Sequence, residues 1–199
     1  MPRKSVQEER RIQIYKALTR CLLKKSFSET SIKDIAKTAG VNHGVLHYYF
    51  KNKEDILLNY IDWVVVHYHD MYQEWVDSHS RRKIDKKAYL RDFAEFMMDR
   101  LSLDDTLSRV FVEIWEIAMY NKKVRLKLQN LYREWFRTIK QVIDHSFPRS
   151  AEAKKISLLL VPFSEGMSLF SVLMPKDEIN PKELMMWMLN LIIGVMNKE

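Results

Sequence analysis

At 199 residues the chain is long enough for one domain, or for a small domain joined to a larger one; 4 Gly and 5 Pro are too few for many tight turns between strands. A single cysteine, Cys21, excludes an internal disulfide framework and a cysteine-based zinc site, and the opening MPRKSVQEERR has no apolar secretory stretch, so the expected location is the cytoplasm. The net charge of +7 is uneven: residues 1–53 carry twelve Lys or Arg against four Asp or Glu, residues 54–199 twenty-one against twenty-two, and such a basic end suits a polyanion, either nucleic acid or anionic lipid.

Ile14, Ala17, Leu18, Cys21 and Leu22 fall on one face of a first helix, with Arg10, Arg11, Lys16, Arg20 and Lys24 around the rest, and this helix is expected to end near Lys25-Ser26. Phe27 then folds back onto the core. Ser31 and Asp34 form an S-x-x-D start for a second helix, whose buried stripe is Ile32, Ile35, Ala36 and Ala39. Gly40 can end that helix in the left-handed conformation, and Asn42 can cap the next. A connection this short forces a steep crossing, the helix-turn-helix arrangement, with His43–Phe50 as the candidate recognition helix. Val41, Leu46 and Phe50 can face the core, leaving His43, Gly44, Val45, His47, Tyr48 and Tyr49 to meet base edges or phosphates. Asn52 caps a fourth helix, and Lys53 at its start can help to hold a phosphate.

These residues carry a family likeness. The run Thr30-Ser31-Ile32, Ile35-Ala36, Ala39-Gly40-Val41-Asn42, Gly44, Leu46, Tyr48-Tyr49-Phe50, Lys53-Glu54 and Ile56-Leu57 closely resembles the DNA-binding region of the TetR family of bacterial regulators, over roughly residues 10–60. The resemblance implies homodimers on palindromic operators, mostly repression, and release when a small molecule fills a pocket in the C-terminal part. It places His43, Gly44 and Val45 at base-facing positions and His47, Tyr48, Tyr49 and Lys53 mainly at phosphates, with Thr30 and Ser31 touching the DNA backbone; Asn42 joins this set. Ser26, Val45 and His47 depart from the commonest pattern, which has Gly, Thr and Tyr there.

Beyond residue 52 helical patterns continue near 53–79, 86–101, 104–120, 122–147, 150–174 and 180–197, broken by polar clusters and by Pro148, Pro175 and Pro181. The whole reads as all-α with about nine helices: a helix-turn-helix domain over 1–52, then a bundle for ligand binding and dimerisation over 53–199. The apolar run Ile156–Met174, interrupted by Pro162, Glu165 and serines, reads as a buried helix rather than a bilayer span. Two apolar stripes, Leu159, Phe170 and Met174 on one helix and Leu184, Trp187, Met188, Leu191, Ile192 and Val195 on the last, mark the expected dimer surface, the alternative being that they only close the monomer core. Trp63, Phe93, Met97, Phe111, Trp115, Met119, Phe163, Glu165 and Met167 are candidate ligand-lining residues, though residues of this kind are more often ordinary core; their character suits an apolar or aromatic compound. Phe163-Ser164-Glu165-Gly166 resembles a pattern in choline-responsive members of the same family, which implies a cationic ligand balanced by Glu165.

His43 and His47 stand four apart and could share a metal, but no carboxylate or thiol accompanies them, and no metal is expected. Cys21 on an apolar stripe reads as a small hydrophobe. No G-x-S-x-G, P-loop, H-E-x-x-H or dinucleotide fingerprint is present, so neither catalysis nor a cofactor is expected. The function expected is a ligand-responsive, DNA-binding transcription regulator; the rival is a DNA-bound scaffold whose larger part engages a protein partner without an inducer.

Overall fold

Helix-forming runs separated by short polar breaks produce the all-α architecture that the periodicity calls for. The computed structural model describes residues 6–80, 85–102, 105–148, 152–175 and 177–196, and the described residues form nine α-helices. They are α1 (Val6–Leu22), α2 (Ile32–Ala39), α3 (His43–Tyr49), α4 (Lys53–Ser80), α5 (Lys86–Met97), α6 (Asp105–Tyr120), α7 (Lys122–Ser146), α8 (Ala153–Leu173) and α9 (Pro181–Met196). The wider π-helical turn Met98–Ser102 continues α5. The expected helix starts at 104 and 150 and the expected end at 197 lie outside the described residues.

The chain makes two compact units, the first taking the described residues up to Tyr68 together with Arg109–Lys127. Here α1 buries Ile14, Ala17, Leu18, Cys21 and Leu22 as its spacing requires, and adds Tyr15, whose ring lies 5.8 Å from Phe50, 6.1 Å from Tyr60 and 5.7 Å from Trp63. Burial pushes the Tyr15 phenol above its ordinary pKa. Ile35, Leu46, Phe50, Ile56, Leu57 and Ile114 are almost wholly buried, each worth roughly 1.5–3 kcal/mol of transfer from water. The unit does not stop at residue 52, because polar ties join α6 and the start of α7 to the N-terminal helices. The Phe27 backbone N–H donates to Glu113 Oε2 at 2.7 Å, Asn121 Nδ2 donates to Glu54 Oε1 at 2.9 Å, and Lys127 pairs with Asp62.

The second unit takes His69–Ser108 and the described residues from Leu128 onward. Its core gathers Leu90, Phe93, Met98, Ile139, Val142, Ile143, Leu160, Val161, Met185, Leu189 and Ile193 around Trp75. The Trp75 ring stacks on His79 at 4.2 Å and meets Tyr89 and Phe93 at 4.9 and 5.3 Å. Asp85 caps α5 by accepting from the backbone of Lys87 and Ala88. The run read as a buried helix is α8, but it is buried on one side only: Leu160, Val161 and Ser168 are inside, while Leu158, Leu159, Phe170 and Leu173 are exposed.

Candidate nucleic-acid interface

The turn into α3 is built from both ends. Ser31 and Asp34 make the full capping box of α2: the Ser31 hydroxyl oxygen accepts from the Asp34 N–H at 3.1 Å, and the Asp34 carboxylate accepts the Ser31 N–H at 2.8 Å. Lys25 Nζ at 2.7 Å, with those Ser31 bonds, holds the Asp34 carboxyl well below the usual carboxylate range. At the other end Gly40 sits at φ 67°, ψ 32°, the left-handed cap that glycine adopts without strain, and its N–H returns to the carbonyls of Ala36 and Lys37. Asn42 then accepts from the Gly44 N–H at 2.9 Å, so only three residues separate α2 from α3.

Within α3, Leu46 is fully buried and Phe50, just beyond, is 2 % exposed, which anchors one side of a two-turn helix and turns the other outward. Gly44, His47 and Tyr48 are exposed, Tyr48 at 73 %; His43, Val45 and Tyr49 are half-buried; Asn42 and Ser31 are exposed at their caps. The Tyr48 and Tyr49 rings meet edge to face at 5.0 Å. Seven of the ten residues expected at DNA therefore lie together at the α2–α3 turn and along α3.

The other three behave differently. Thr30 is a correction: it is 1 % exposed, and its hydroxyl donates to the Ser26 carbonyl at 2.9 Å, so the side chain supports the loop before α2 and is closed to a phosphate. Ser31 spends its oxygen on the capping box. Lys53 donates through Nζ to the Phe27 carbonyl at 2.6 Å and lies 4.4 Å from the centre of the Phe27 ring; desolvation first, then nearby Lys25, lower its pKa. A phosphate contact from Lys53 would use the donor capacity left after that clasp.

Sequence reading missed the braces that hold this surface. Gln13 Nε2 donates to the Ala39 carbonyl at 2.6 Å and Arg20 to the Thr38 carbonyl at 3.0 Å, pinning the last turn of α2 from α1. Their partners are 26 and 18 residues away, and no local pattern announces them. Glu113, bonded to Phe27, is equally silent in sequence.

Residues expected at a ligand divide between the units. Trp63, Phe111, Trp115 and Met119 belong to the first; Phe93, Met97, Phe163, Glu165 and Met167 belong to the second. Trp63 stacks on His67 at 5.6 Å, and Met119, 69 % exposed near the end of α6, is a correction, since so open a side chain encloses nothing. In the second unit Phe93 and Met97 line a small cavity with Leu90, Ala94, Ile139, Leu160, Ser164, Met185 and Leu189; its free volume of about 30 Å³ has room for a water or two. Phe163 packs against the same core. Glu165 accepts a hydrogen bond from Tyr132, and burial raises its pKa to about 7 against that bond. Of the residues expected at a dimer surface, Leu159, Phe170, Leu184, Trp187, Leu191 and Val195 are exposed, whereas Met188 and Ile192 pack partly on the core and Met174 is half-buried.

Comparison with known proteins gives this surface a context. A family model described as bacterial regulatory proteins, tetR family, matches residues 14–60, the stretch from α1 into α4. The transcriptional regulator BetI of Yersinia pestis is 26 % identical over 124 residues, 62 % of this chain and 62 % of that protein, so the match spans less than two thirds of that relative's length. BetI 1 of Chromohalobacter salexigens is 25 % identical over 186 residues, 88 % of this chain and 85 % of the relative. Among solved structures, a protein from Saccharomonospora viridis described as a transcriptional regulator, in complex with choline, superposes with TM-score 0.74 at 23 % identity, over 94 % of this chain and 96 % of its own. FadR of Bacillus subtilis, in complex with stearoyl-CoA, does so with TM-score 0.72 at 19 % identity, over 90 % and 96 %. The structural likeness shows a shared fold, and residues 14–60 match the N-terminal region of the tetR family of bacterial regulatory proteins.

Proposed function

We propose that this protein is a DNA-binding transcription regulator in the cytoplasm, a homodimer that grips a palindromic operator with one α3 per protomer and lets go when a small molecule occupies its larger part. The observation that carries the reading is the two-sided α3: Leu46 sealed in the core, Gly44, His47 and Tyr48 facing out, on the end of the chain that holds all the excess positive charge. Such a helix beside a basic surface suits a major groove, where phosphates position and base edges specify. Two copies would meet grooves about 34–36 Å apart on one face of the duplex.

The relatives support a small-molecule effector, since one similar structure holds choline and another stearoyl-CoA. In this chain the apolar cavity of the second unit favours an apolar or aromatic effector, and buried Glu165 favours a cationic one. With free volume of about 30 Å³, either effector has to select a more open conformation, and it shifts DNA affinity only as far as it prefers that conformation. The same tight core, with the exposed apolar stripe of α9, favours the second reading, a DNA-bound scaffold for a protein partner.

The test is a binding titration of the full chain against duplexes enriched by that protein from a random-sequence pool. Enrichment of a palindrome, and weaker binding to all duplexes for Tyr49→Phe, are expected. Failure to retain any duplex at low salt would end the reading. Choline and a long-chain acyl-CoA, added to the bound complex, separate the sensor from the scaffold.

A further inference from the structure

Two imidazoles stand side by side on the outward part of α3. His43 and His47 are one turn apart, their ring centroids are 4.7 Å apart, and the rings meet edge to face at 78°. Among the described residues each ring's aromatic contact is with the other, and neither ring makes a hydrogen bond or ion pair with the protein. Four ring nitrogens are thus left for an outside partner.

Charged side chains on the adjoining elements are mostly positive. α2, which packs against α3, carries exposed Lys33 and Lys37, and its Asp34 is already held by Lys25 and Ser31. Lys51 follows the helix, with the Asp55 carboxylate of α4 accepting its backbone N–H at 2.9 Å and Glu54 beside it, and on α1 the Arg11 guanidinium lies 5.2 Å from the centre of the Phe50 ring. On α3 itself the other titratable groups are the phenols of Tyr48 and Tyr49. A DNA phosphate or a guanine acceptor set against the pair favours the charged form, because an imidazolium brings a positive charge and an N–H donor at each ring nitrogen.

Imidazole is the side chain that ordinarily changes charge between pH 5 and 8. We propose that DNA binding takes up about one proton per protomer through the His43–His47 pair, which makes DNA occupancy respond to pH near neutrality. This rests on the DNA-binding reading of α3 and adds to it a second, proton input, separate from any small molecule. The sign follows from linkage: the bound state holds more protons than the free one, so affinity rises as pH falls, by about tenfold per unit for each proton taken up.

The experiment is calorimetric titration of the full chain with a duplex that it has enriched from a random pool, at fixed ionic strength between pH 6 and 8.5, in buffers of different ionisation enthalpy. Uptake of about one proton per protomer near pH 7 is expected, retained in His67→Gln/His69→Gln and lost in His43→Gln/His47→Gln. Should the latter bind too weakly to measure, His47→Lys provides a fixed cation: uptake should fall and affinity at pH 8 should approach that at pH 6. Wild-type binding without proton uptake, or uptake unchanged in both His43/His47 variants, would overturn the proposal. Absence of duplex binding at every pH would remove the DNA reading itself, and this one with it.

Discussion

Two glycines near the turn look alike in sequence and differ in physics. Gly40 has φ +67° with nothing within 4 Å of an added Cβ, so its requirement is purely conformational, and Gly40→Ala is expected to destabilise the fold by about 1–2 kcal/mol in a chemical melt. Gly44 is ordinary helix, and a Cβ there would meet Asn42 Oδ1 at 3.6 Å, an unstrained contact. Gly44→Ala is therefore expected to leave stability unchanged or raise it by about 0.5–1 kcal/mol, while weakening duplex binding, because the fold has no use for this glycine and a groove would. An equal loss of stability in both variants would refute that distinction. Glu165 gives a pH-dependent case. Burial raises its pKa to about 7, so between the ordinary carboxyl range and pH 7 the folded chain holds a proton that the unfolded chain has lost, and stability declines as pH rises through that window. At about 1.4 kcal/mol per unit the decline approaches roughly 3 kcal/mol above pH 7. Glu165→Gln, which retains an acceptor for Tyr132, should abolish it, as melts at pH 5 and pH 8.5 would reveal. Gly40, Asn42 and Ser31 were legible because a cap acts on its own neighbours; the burial of Thr30 and the clasp of Lys53 were not, because their partners, Ser26 and Phe27, decide how far a polar group faces solvent.

Helices with period and caps intact came through from sequence nearly whole: α2, α3, α6 and α7 each start and stop within a residue or two of their signals. α1 ends at Leu22, short of Lys25, because Lys25 is drawn to Asp34 and the chain is already turning toward Phe27. The π-helical turn after α5 had no signal, since Met98–Ser102 has ordinary helix-forming composition. For α9 the periodicity showed too much apolar surface for a single core. Met185, Leu189, Ile193 and Met196 turn inward, and Leu184, Trp187, Leu191 and Val195 form a second stripe in the open. On the proposed dimer, Trp187, at 62 % exposure, is a natural anchor. Trp187→Glu is expected to weaken self-association by about 2 kcal/mol or more, seen as a shift to monomer in sedimentation, with the α9 helix intact by circular dichroism. A dimer of unaltered strength would place the interface elsewhere.

For the molecule as a whole, fold class and the likeness of residues 14–60 to the tetR family were readable because helical period and the α2–α3 punctuation are local. The grouping of helices into units was not, and that is why nine expected lining residues scattered across both. The first unit is not one stretch of polypeptide: the chain leaves it after Tyr68 and returns at Arg109, bringing buried Val110, Ile114 and Val124 and the Glu113 bond to Phe27. A gene fragment stopping at codon 68 would encode the α2–α3 turn without its floor. A single crossover after α3 would likewise join one parent's α1–α3 to another parent's supports, so exchanging α3 by point changes should preserve the fold more readily than exchanging it by shuffling.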